Sequence, residues 1–232
     1  MFLGHFAVSF AAKKPAPRVS LGTFFMAAKL IDLLWPLFLL LGFEHASIDI
    51  GNTVVTPLNF YDYPFTHSLA GVVLWSCAFG LLYYAVKRNR QNALIVGATV
   101  STHWILDLLT HRPDLPLWFS GGPYVGIGLW NSLAGTVLVE VGLFALGVFF
   151  YVTTTKPKDN IGSIGFCSLA AFLALTYFAN LAGPPPPDVM TIAVAGNATW
   201  LLVAWAYWID RHREIRPTVP SKDLNTLPAP SY

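Results

Sequence analysis

Charged residues are scarce in this chain. Only 11% of its 232 residues are Asp, Glu, Lys or Arg, against about 25% in an ordinary soluble domain. Hydrophobic residues make up 55%, and the mean hydropathy is +0.56. This balance excludes a soluble globular domain and predicts an integral membrane protein. The net charge of +2 is too small to indicate nucleic acid as a partner.

Cysteine is rare as well. Cys77 and Cys167 lie singly in apolar runs, without the spacing of a metal site or a disulfide framework. We expect both to be small buried hydrophobic residues. A secretory signal pattern is also missing, because the apolar residues of the N-terminal segment precede its basic ones. We expect that segment to be retained.

Six apolar runs are long enough to cross a bilayer, which takes about 20 helical residues. They cover residues 21–43, 65–86, 91–110, 126–152, 161–182 and 189–209. A shorter apolar segment, residues 2–12, predicts an interfacial or re-entrant helix. The predicted fold is all-α, a polytopic membrane helical bundle of six transmembrane helices plus this short N-terminal helix.

Three regions follow from these spans. Residues 1–152 form a membrane core with four spans, and residues 153–216 add two spans that contain no charged residue and are interpreted as scaffold. Residues 217–232 are rich in proline and lack apolar periodicity, which predicts a disordered cytoplasmic tail.

Lysine and arginine fall almost entirely on one side of this topology. Of the 14 such residues, Lys29 lies within a span, Arg112 lies in an outer loop, and all the others flank the spans on the opposite side. Basic residues concentrate on the cytoplasmic side of membrane proteins. The pattern predicts cytoplasmic termini, outward-facing loops 44–64 and 111–125, and, in a bacterium, the inner (plasma) membrane.

The segment STHWILDLLTH, residues 101–111, is the main candidate for a functional site. It carries His103, Asp107 and His111 at four-residue spacing, which a helix would place on one face. In the predicted topology His67 opens the second span at the same outer level, and Asp32 lies midway along the first. We expect these residues to meet in one outward-opening pocket.

Charges inside the spans must be compensated, because each would cost about 2.5–3.5 kcal/mol at the bilayer centre. A divalent cation would neutralise the cluster, and its candidate ligands are His67, His103, Asp107 and Asp32. Imidazole with carboxylate favours zinc, with manganese, iron or nickel as alternatives. Glu140 forms a polar stripe with Ser132 and Thr136 in the fourth span, and this favours a catalytic or supporting role for it.

Several of these residues have a simpler interpretation. His103 and Asp107 could form a hydrogen bond that locks two helices together, or part of a proton relay. His111 sits at a helix end and is a second-choice ligand. His5 reaches the pocket only if its segment dips inward. His45 lies in a polar segment, where we expect it to be solvated.

The order of four short motifs resembles a known family. Gly4-His5, the Asp32 of KLIDLLWP, THS at 66–68 and HWILD at 103–107 resemble the predicted membrane-bound metal-dependent hydrolases of bacterial inner membranes. That family is thought distantly similar to zinc-dependent phospholipase C and nuclease. The resemblance covers residues 1–152 and implies a helical fold with a metal bound by His5, Asp32, His67, His103 and Asp107.

This chain departs from the family at one point. Members commonly show an Asp-x-Asp-His run, where this chain has Asp32-Leu33-Leu34-Trp35. Two potential ligands are therefore missing, which argues against a site of two or three ions. Glu140 or His111 could replace one of them.

The leading functional hypothesis is a hydrolase that acts on an ester or phosphoester, including lipid-linked ones, from the outer side of the membrane. A metal would lower the pKa of a bound water, and Glu140 or Asp32 would take its proton. One alternative is a small transporter or proton-coupled permease whose intramembrane charges form a relay. Another is a haem protein with His67 and His103 as axial ligands. Membrane lipids are the expected partners; the oligomeric state stays open.

Overall fold

The computed structural model describes residues 1–217 and shows a bundle of α-helices. A short helix, α1 (Leu3–Ala11), comes first, and α3 (Pro64–His67) is a single turn. Six helices are long and apolar enough to cross a membrane, so the chain is a multi-pass membrane protein. They are α2 (Leu21–Leu41), α4 (Leu69–Lys87), α5 (Arg90–Thr110), α6 (Leu133–Thr154), α7 (Asn160–Ala182) and Val189–Arg211, which a break at Ala198 divides into α8 (Val189–Asn197) and α9 (Thr199–Arg211).

The prediction of an all-α bundle with six spans is confirmed. The tail predicted over residues 217–232 lies, apart from Pro217, outside the described residues. Within residues 1–217, three short antiparallel ribbons accompany the helices: β1 (His45–Ile48) with β2 (Leu58–Asp62), β3 (Leu115–Trp118) with β4 (Gly121–Val125), and β5 (Thr155–Pro157) with β6 (Arg213–Ile215). The first two occupy segments that the sequence indicated only as outer loops.

Polar caps determine where two of the spans begin. The Ser68 hydroxyl accepts a hydrogen bond from the Gly71 N–H at 2.9 Å, and Ser132 accepts one from Gly135 at 3.1 Å. A serine at this position satisfies an N–H group that the helix leaves unpaired. The second span therefore starts at Leu69 rather than residue 65, and the fourth at Leu133 rather than residue 126.

The bundle has two unlike ends. One end, called the basic end, comprises residues 12–20, 87–90, 155–159 and 210–216, where most of the lysines and arginines lie. There Lys13 pairs with Asp210 at 3.1 Å. The other end, called the loop end, holds β1 to β4 and α3. Because the long helices alternate in direction, the two ends correspond to the two sides of the membrane.

Helix α1 lies inside the bundle rather than on its surface. It packs between α2, α5 and α6, and its side chains are buried on almost every face. The core around α1 also includes residues from both of the last two spans. Its members include Leu3, Phe6 and Phe10 of α1, Phe25 of α2, Tyr151 of α6, Leu169 of the fifth span and Ile209 of the sixth. Of the two spans expected to be scaffold, the fifth packs directly against α1, through Phe10 and Phe166, and the sixth packs against α2.

The outer faces of the long helices are apolar. Leucines on these faces are between 68% and 77% exposed, namely Leu81, Leu94, Leu138, Leu175 and Leu201. Lipid tails are as apolar as leucine, so such faces suit a bilayer. Cys77 and Cys167 lie on the same exposed surface. The expectation that they are buried is therefore wrong, because an apolar run in a membrane bundle includes its lipid-facing residues.

Close contact between α1 and α6 depends on Gly147. A Cβ atom there would collide with the backbone of Ala7. Gly147→Val is therefore expected to lower the free energy of unfolding by about 2 kcal/mol. Gly142→Val on the same helix is the matched control, because a Cβ at Gly142 meets nothing within 4 Å. Thermal unfolding in detergent measures both, and equal melting temperatures for the two variants would contradict this packing.

Candidate metal centre

Helix α1 brings His5 to the centre of the bundle. The residue is only 1% exposed, and its ring stacks on that of His103 with 3.8 Å between the ring centroids and 2° between the planes. His5 Nε2 lies 3.2 Å from Asp107 Oδ1. The segment that carries His5 thus does reach the cluster predicted from the sequence.

The orientation of His103 is set by a backbone carbonyl. Its Nδ1 lies 2.8 Å from the Ala28 carbonyl oxygen, so Nδ1–H donates to that oxygen. This leaves Nε2 unprotonated in the neutral ring. Nε2 is buried without a hydrogen-bond partner among the described residues, yet it faces two carboxylates, Asp107 Oδ2 at 3.0 Å and Asp32 Oδ1 at 3.5 Å.

A polar chain fixes His67 in the same way. The Thr66 hydroxyl donates to Glu44 Oε2 at 2.7 Å, so its oxygen accepts the proton of His67 Nδ1, also at 2.7 Å. The Thr66 N–H donates to the other Glu44 oxygen. Glu44 is 1% exposed, and burial raises its pKa. The unprotonated Nε2 of His67 consequently points towards Asp32 and Asp107.

Four ligand atoms converge at this point with spacings that suit a metal ion. Atoms bound about 2.0–2.1 Å from a tetrahedral zinc stand about 3.4 Å apart. Asp32 Oδ1 lies 3.6 Å from His67 Nε2 and 3.5 Å from His103 Nε2. Asp107 Oδ2 lies 4.0 Å and 3.0 Å from the same two nitrogens. These four nitrogen–oxygen separations lie within about 0.6 Å of that spacing, and Asp32 and Asp107 belong to two separate groups of atoms that could surround an ion.

The lone pairs of these atoms favour a cation between them. The Met1 ammonium and Lys29 pair with the other oxygens of the two carboxylates. With both rings neutral, a cation among the two imidazole nitrogens and the two facing carboxylate oxygens would offset their remaining repulsion. A protonated His103, paired with Asp107 Oδ2 at 3.0 Å, is the alternative source of positive charge. Metal-bound histidines typically donate their other N–H to a carbonyl or carboxylate-linked group, as His103 and His67 both do.

Two overlapping groups could each hold an ion. One contains His5, His103 and Asp107, and the other contains Asp32, His67 and His103. Because Nδ1 of His103 is engaged with Ala28, both groups depend on the single Nε2 atom. A neutral imidazole offers one lone pair for a metal, so the two groups can hold one ion between them at a time.

Asp32 marks the open side of the cluster. Its side chain is 27% exposed, while those of His67, His103 and Asp107 are between 1% and 5% exposed. Lys29, one turn earlier on α2, pairs with Asp32 Oδ2 and is itself buried against the rings of Phe2 and Phe6. This local pair offsets two of the charges that lie within the spans.

Glu140 lies beside the cluster and holds the start of α1. Its Oε2 accepts from the Phe2 N–H at 3.0 Å and the Gly4 N–H at 3.2 Å. A carboxylate is favourable at a helix N-terminus, where N–H groups are unpaired and the helix dipole is positive. The Met1 ammonium beside it pairs with Asp107 Oδ1 at 2.8 Å. Glu140 is thus bonded to backbone rather than directed at the four converging atoms.

The other members of the polar stripe in α6 also have local partners. Ser132 caps the helix and is not part of its face, and the Thr136 hydroxyl donates to the Leu129 carbonyl at 2.9 Å. The stripe therefore ties α6 to the loop end and to α1, and does not form an open path from the surface.

His111 leaves the stripe on which its spacing placed it. Helix α5 ends at Thr110, and His111 is extended, with φ −63° and ψ 145°. Its Nδ1 lies 3.0 Å from Asp114 Oδ1, and the rings of Trp130 and Phe60 pack against it. Burial lowers its pKa. His111 belongs to neither group of potential ligands, because the chain turns where the helix ends.

Glu44 and Thr66 were missed as site residues by the sequence interpretation. Thr66 appeared only within the THS motif, and Glu44 only as part of a polar loop. A threonine directly before a predicted histidine ligand was the one available signal, since its hydroxyl can reach the ring.

The chain matches no family model, and comparison with curated proteins and with solved structures finds no similar protein.

Proposed function

We propose that this chain is a membrane-embedded metal-dependent hydrolase that cleaves an ester or phosphoester. The observation that supports this most is the convergence of His67 Nε2, His103 Nε2, Asp32 Oδ1 and Asp107 Oδ2, at separations of 3.0 to 4.0 Å. Both imidazoles have their other nitrogen engaged, so both present a lone pair. Such a set fits a divalent cation, and nitrogen with carboxylate oxygen favours zinc over manganese, iron or nickel.

The ion would be held by the three buried members of this cluster, His67, His103 and Asp107, and so would draw on both of the groups that share His103. Bound there, a zinc ion would polarise the scissile group and lower the pKa of a bound water towards neutrality. His5 then acts on Asp107, donating Nε2–H to Oδ1 and leaving Oδ2 for the ion. Hydrogen bonds to the outer oxygen of a ligating carboxylate fix its orientation.

Asp32 is the best-placed proton acceptor, and in that role it would not be a ligand of the ion. It is the one member of the cluster with substantial exposure, so it faces the side from which water and substrate would enter. Lys29 holds its other oxygen and adds a positive charge that suits an anionic phosphoester. Glu140 remains the alternative acceptor, although both of its oxygens are within hydrogen-bonding distance of the backbone of α1.

The membrane and its orientation are also part of the proposal. The basic end would face the cytoplasm, with both termini there, in the inner (plasma) membrane of a bacterium. His67 and Asp107 lie near the loop end, so the site would open towards the outer side. The apolar outer faces favour a lipid-linked substrate that reaches the site from the bilayer.

Asp32→Asn tests this assignment. Turnover of a chromogenic phosphodiester or carboxylic ester by the purified wild-type protein is expected, with loss on chelation and recovery on adding Zn²⁺. Asp32→Asn is expected to reduce kcat about 100-fold, because a general base contributes about that much or more. Asp49→Asn removes the same charge from an exposed position and should leave kcat unchanged. Wild-type protein that binds zinc but hydrolyses neither ester class would overturn the hydrolase assignment.

A further inference from the structure

A polar cavity lies at the basic end, separate from the histidine cluster. Its volume is about 320 Å³, and the residues that line it come from the connection after α1, from β5 and from the end of α9 with β6. These three segments are joined by pairing of β5 with β6 and by the Lys13–Asp210 pair. The cavity is thus a built feature of the fold.

Positive charge dominates the cavity. Its lining includes four basic residues and two acidic ones: Lys13, Arg18, Lys158, Arg213, Asp210 and Glu214. Glu214 is engaged by Lys156 at 3.1 Å, outside the lining, and Asp210 by Lys13. Among residues 1–217, no carboxylate lies within ion-pair distance of Arg18, Lys158 or Arg213. The cavity therefore presents cations whose charge is not balanced by the described part of the chain.

Two of these cations are buried and held in place. Lys13 is 3% and Arg213 is 7% exposed. Lys13 Nζ also donates to the Val19 carbonyl. The Arg213 guanidinium donates to Thr155 and Gly162 and lies 5.0 Å from the ring centroids of Tyr151 and Phe166. Burial lowers the pKa of Lys13. Arg18 and Lys158 remain exposed at the rim.

We propose that this cavity binds the phosphate group of an anionic phospholipid. The long helices begin or end beside it, which puts it at the level of the lipid headgroups. Basic pockets between transmembrane helices bind anionic headgroups, and each nearby lysine or arginine strengthens attraction to an anionic leaflet. Exposed apolar side chains of α6 and α7 towards the basic end, Phe149, Ile161 and Ile164, would contact the acyl chains. The proposal does not depend on the metal site or on hydrolysis.

The test uses a double variant at the rim and a matched control. Arg18→Gln with Lys158→Gln removes one arginine and one lysine from the cavity without touching the buried pair. Lys87→Gln with Arg90→Gln removes the same two charges from exposed positions at the same end of the bundle, outside the cavity. The purified protein is placed in nanodiscs with and without phosphatidylglycerol, and bound lipid is counted by native mass spectrometry.

Wild type and control are expected to retain at least one phosphatidylglycerol, while the rim variant binds it about tenfold or more weakly. A second experiment adds inorganic phosphate. If millimolar phosphate fails to displace the lipid, the result supports a headgroup site. If phosphate alone stabilises the protein against unfolding as much as phosphatidylglycerol does, the lipid assignment is overturned in favour of a free anion. Equal loss of lipid by rim variant and control overturns the proposal, because the effect would then belong to the whole basic end.

Discussion

Replacement of His103 and Asp107 together by alanine is expected to leave the purified protein with less than about a tenth of the divalent metal of the wild type, and with no measurable ester turnover. Loss of one supporting residue around a metal costs about 10–100-fold in affinity, and in the proposed site these two residues supply ligand atoms themselves. His103 Nε2 also belongs to both potential ligand groups. Elemental analysis of the purified protein measures the metal directly.

The control for this variant removes a similar pair from the surface. His45 Nδ1 lies 2.8 Å from Asp62 Oδ2, and both side chains are nearly half exposed. His45→Ala with Asp62→Ala should therefore keep the wild-type metal content. Equal metal in the two double variants would contradict a metal site and support a simple histidine–aspartate lock between helices.

A second variant separates metal loss from misfolding. Asp107 also bonds to His5 and to the Met1 ammonium, so its removal disturbs α1. His67 makes neither of these contacts, and its hydrogen bond to Thr66 lies outside the cluster. His67→Ala is expected to lower metal content strongly while the melting temperature of the metal-free protein stays close to that of the metal-free wild type.

Glu140→Ala is expected to lower the free energy of unfolding by about 3 kcal/mol, a larger loss than that of Gly147→Val. The variant leaves the buried N–H groups of Phe2 and Gly4 without an acceptor. Hydrogen bonds to charged groups are worth about 1.5–3 kcal/mol each, and buried unpaired donors add their desolvation cost. Thermal unfolding in detergent and protease sensitivity of the first residues measure the loss.

Two further variants distinguish a structural role of Glu140 from a role as proton acceptor. Asp188→Ala removes an exposed carboxylate that caps α8, and its cost should stay near about 1 kcal/mol. Glu140→Gln keeps one acceptor oxygen, so most of the folding energy should remain. If turnover survives in Glu140→Gln, the residue anchors α1; if turnover is lost while the melting temperature is kept, Glu140 is the proton acceptor instead of Asp32.

Much of the fold was predictable because a bilayer imposes a simple rule on sequence. Each apolar run of about 20 residues corresponds to a helix, and all six were found. The starting residues of two spans were misplaced because hydropathy does not register a serine cap, and a cap determines where the helix begins. The β1–β2 and β3–β4 ribbons were missed because their residues show no clear alternation of apolar and polar side chains.

The candidate site was also predictable only in part. His103 and Asp107 are four residues apart in the sequence, and a helix places residues at that spacing on one face. His67 and Asp32 could be added because polar residues within spans must face the bundle interior. Glu44 could not, since its bond to Thr66 bridges two segments across the loop end. The departure of His111 also depends on one feature, the end of α5, that spacing cannot reveal.

The burial of α1 has a consequence for the order of assembly. This helix precedes the six spans in the chain, yet the glycine against which it packs and the carboxylate that holds its N–H groups both lie in α6, after three of those spans. Its nine residues are too few to cross a bilayer alone. The contacts that bury α1 can therefore form only after the fourth span has been synthesised. His5 can take its position in the histidine cluster only from that point on.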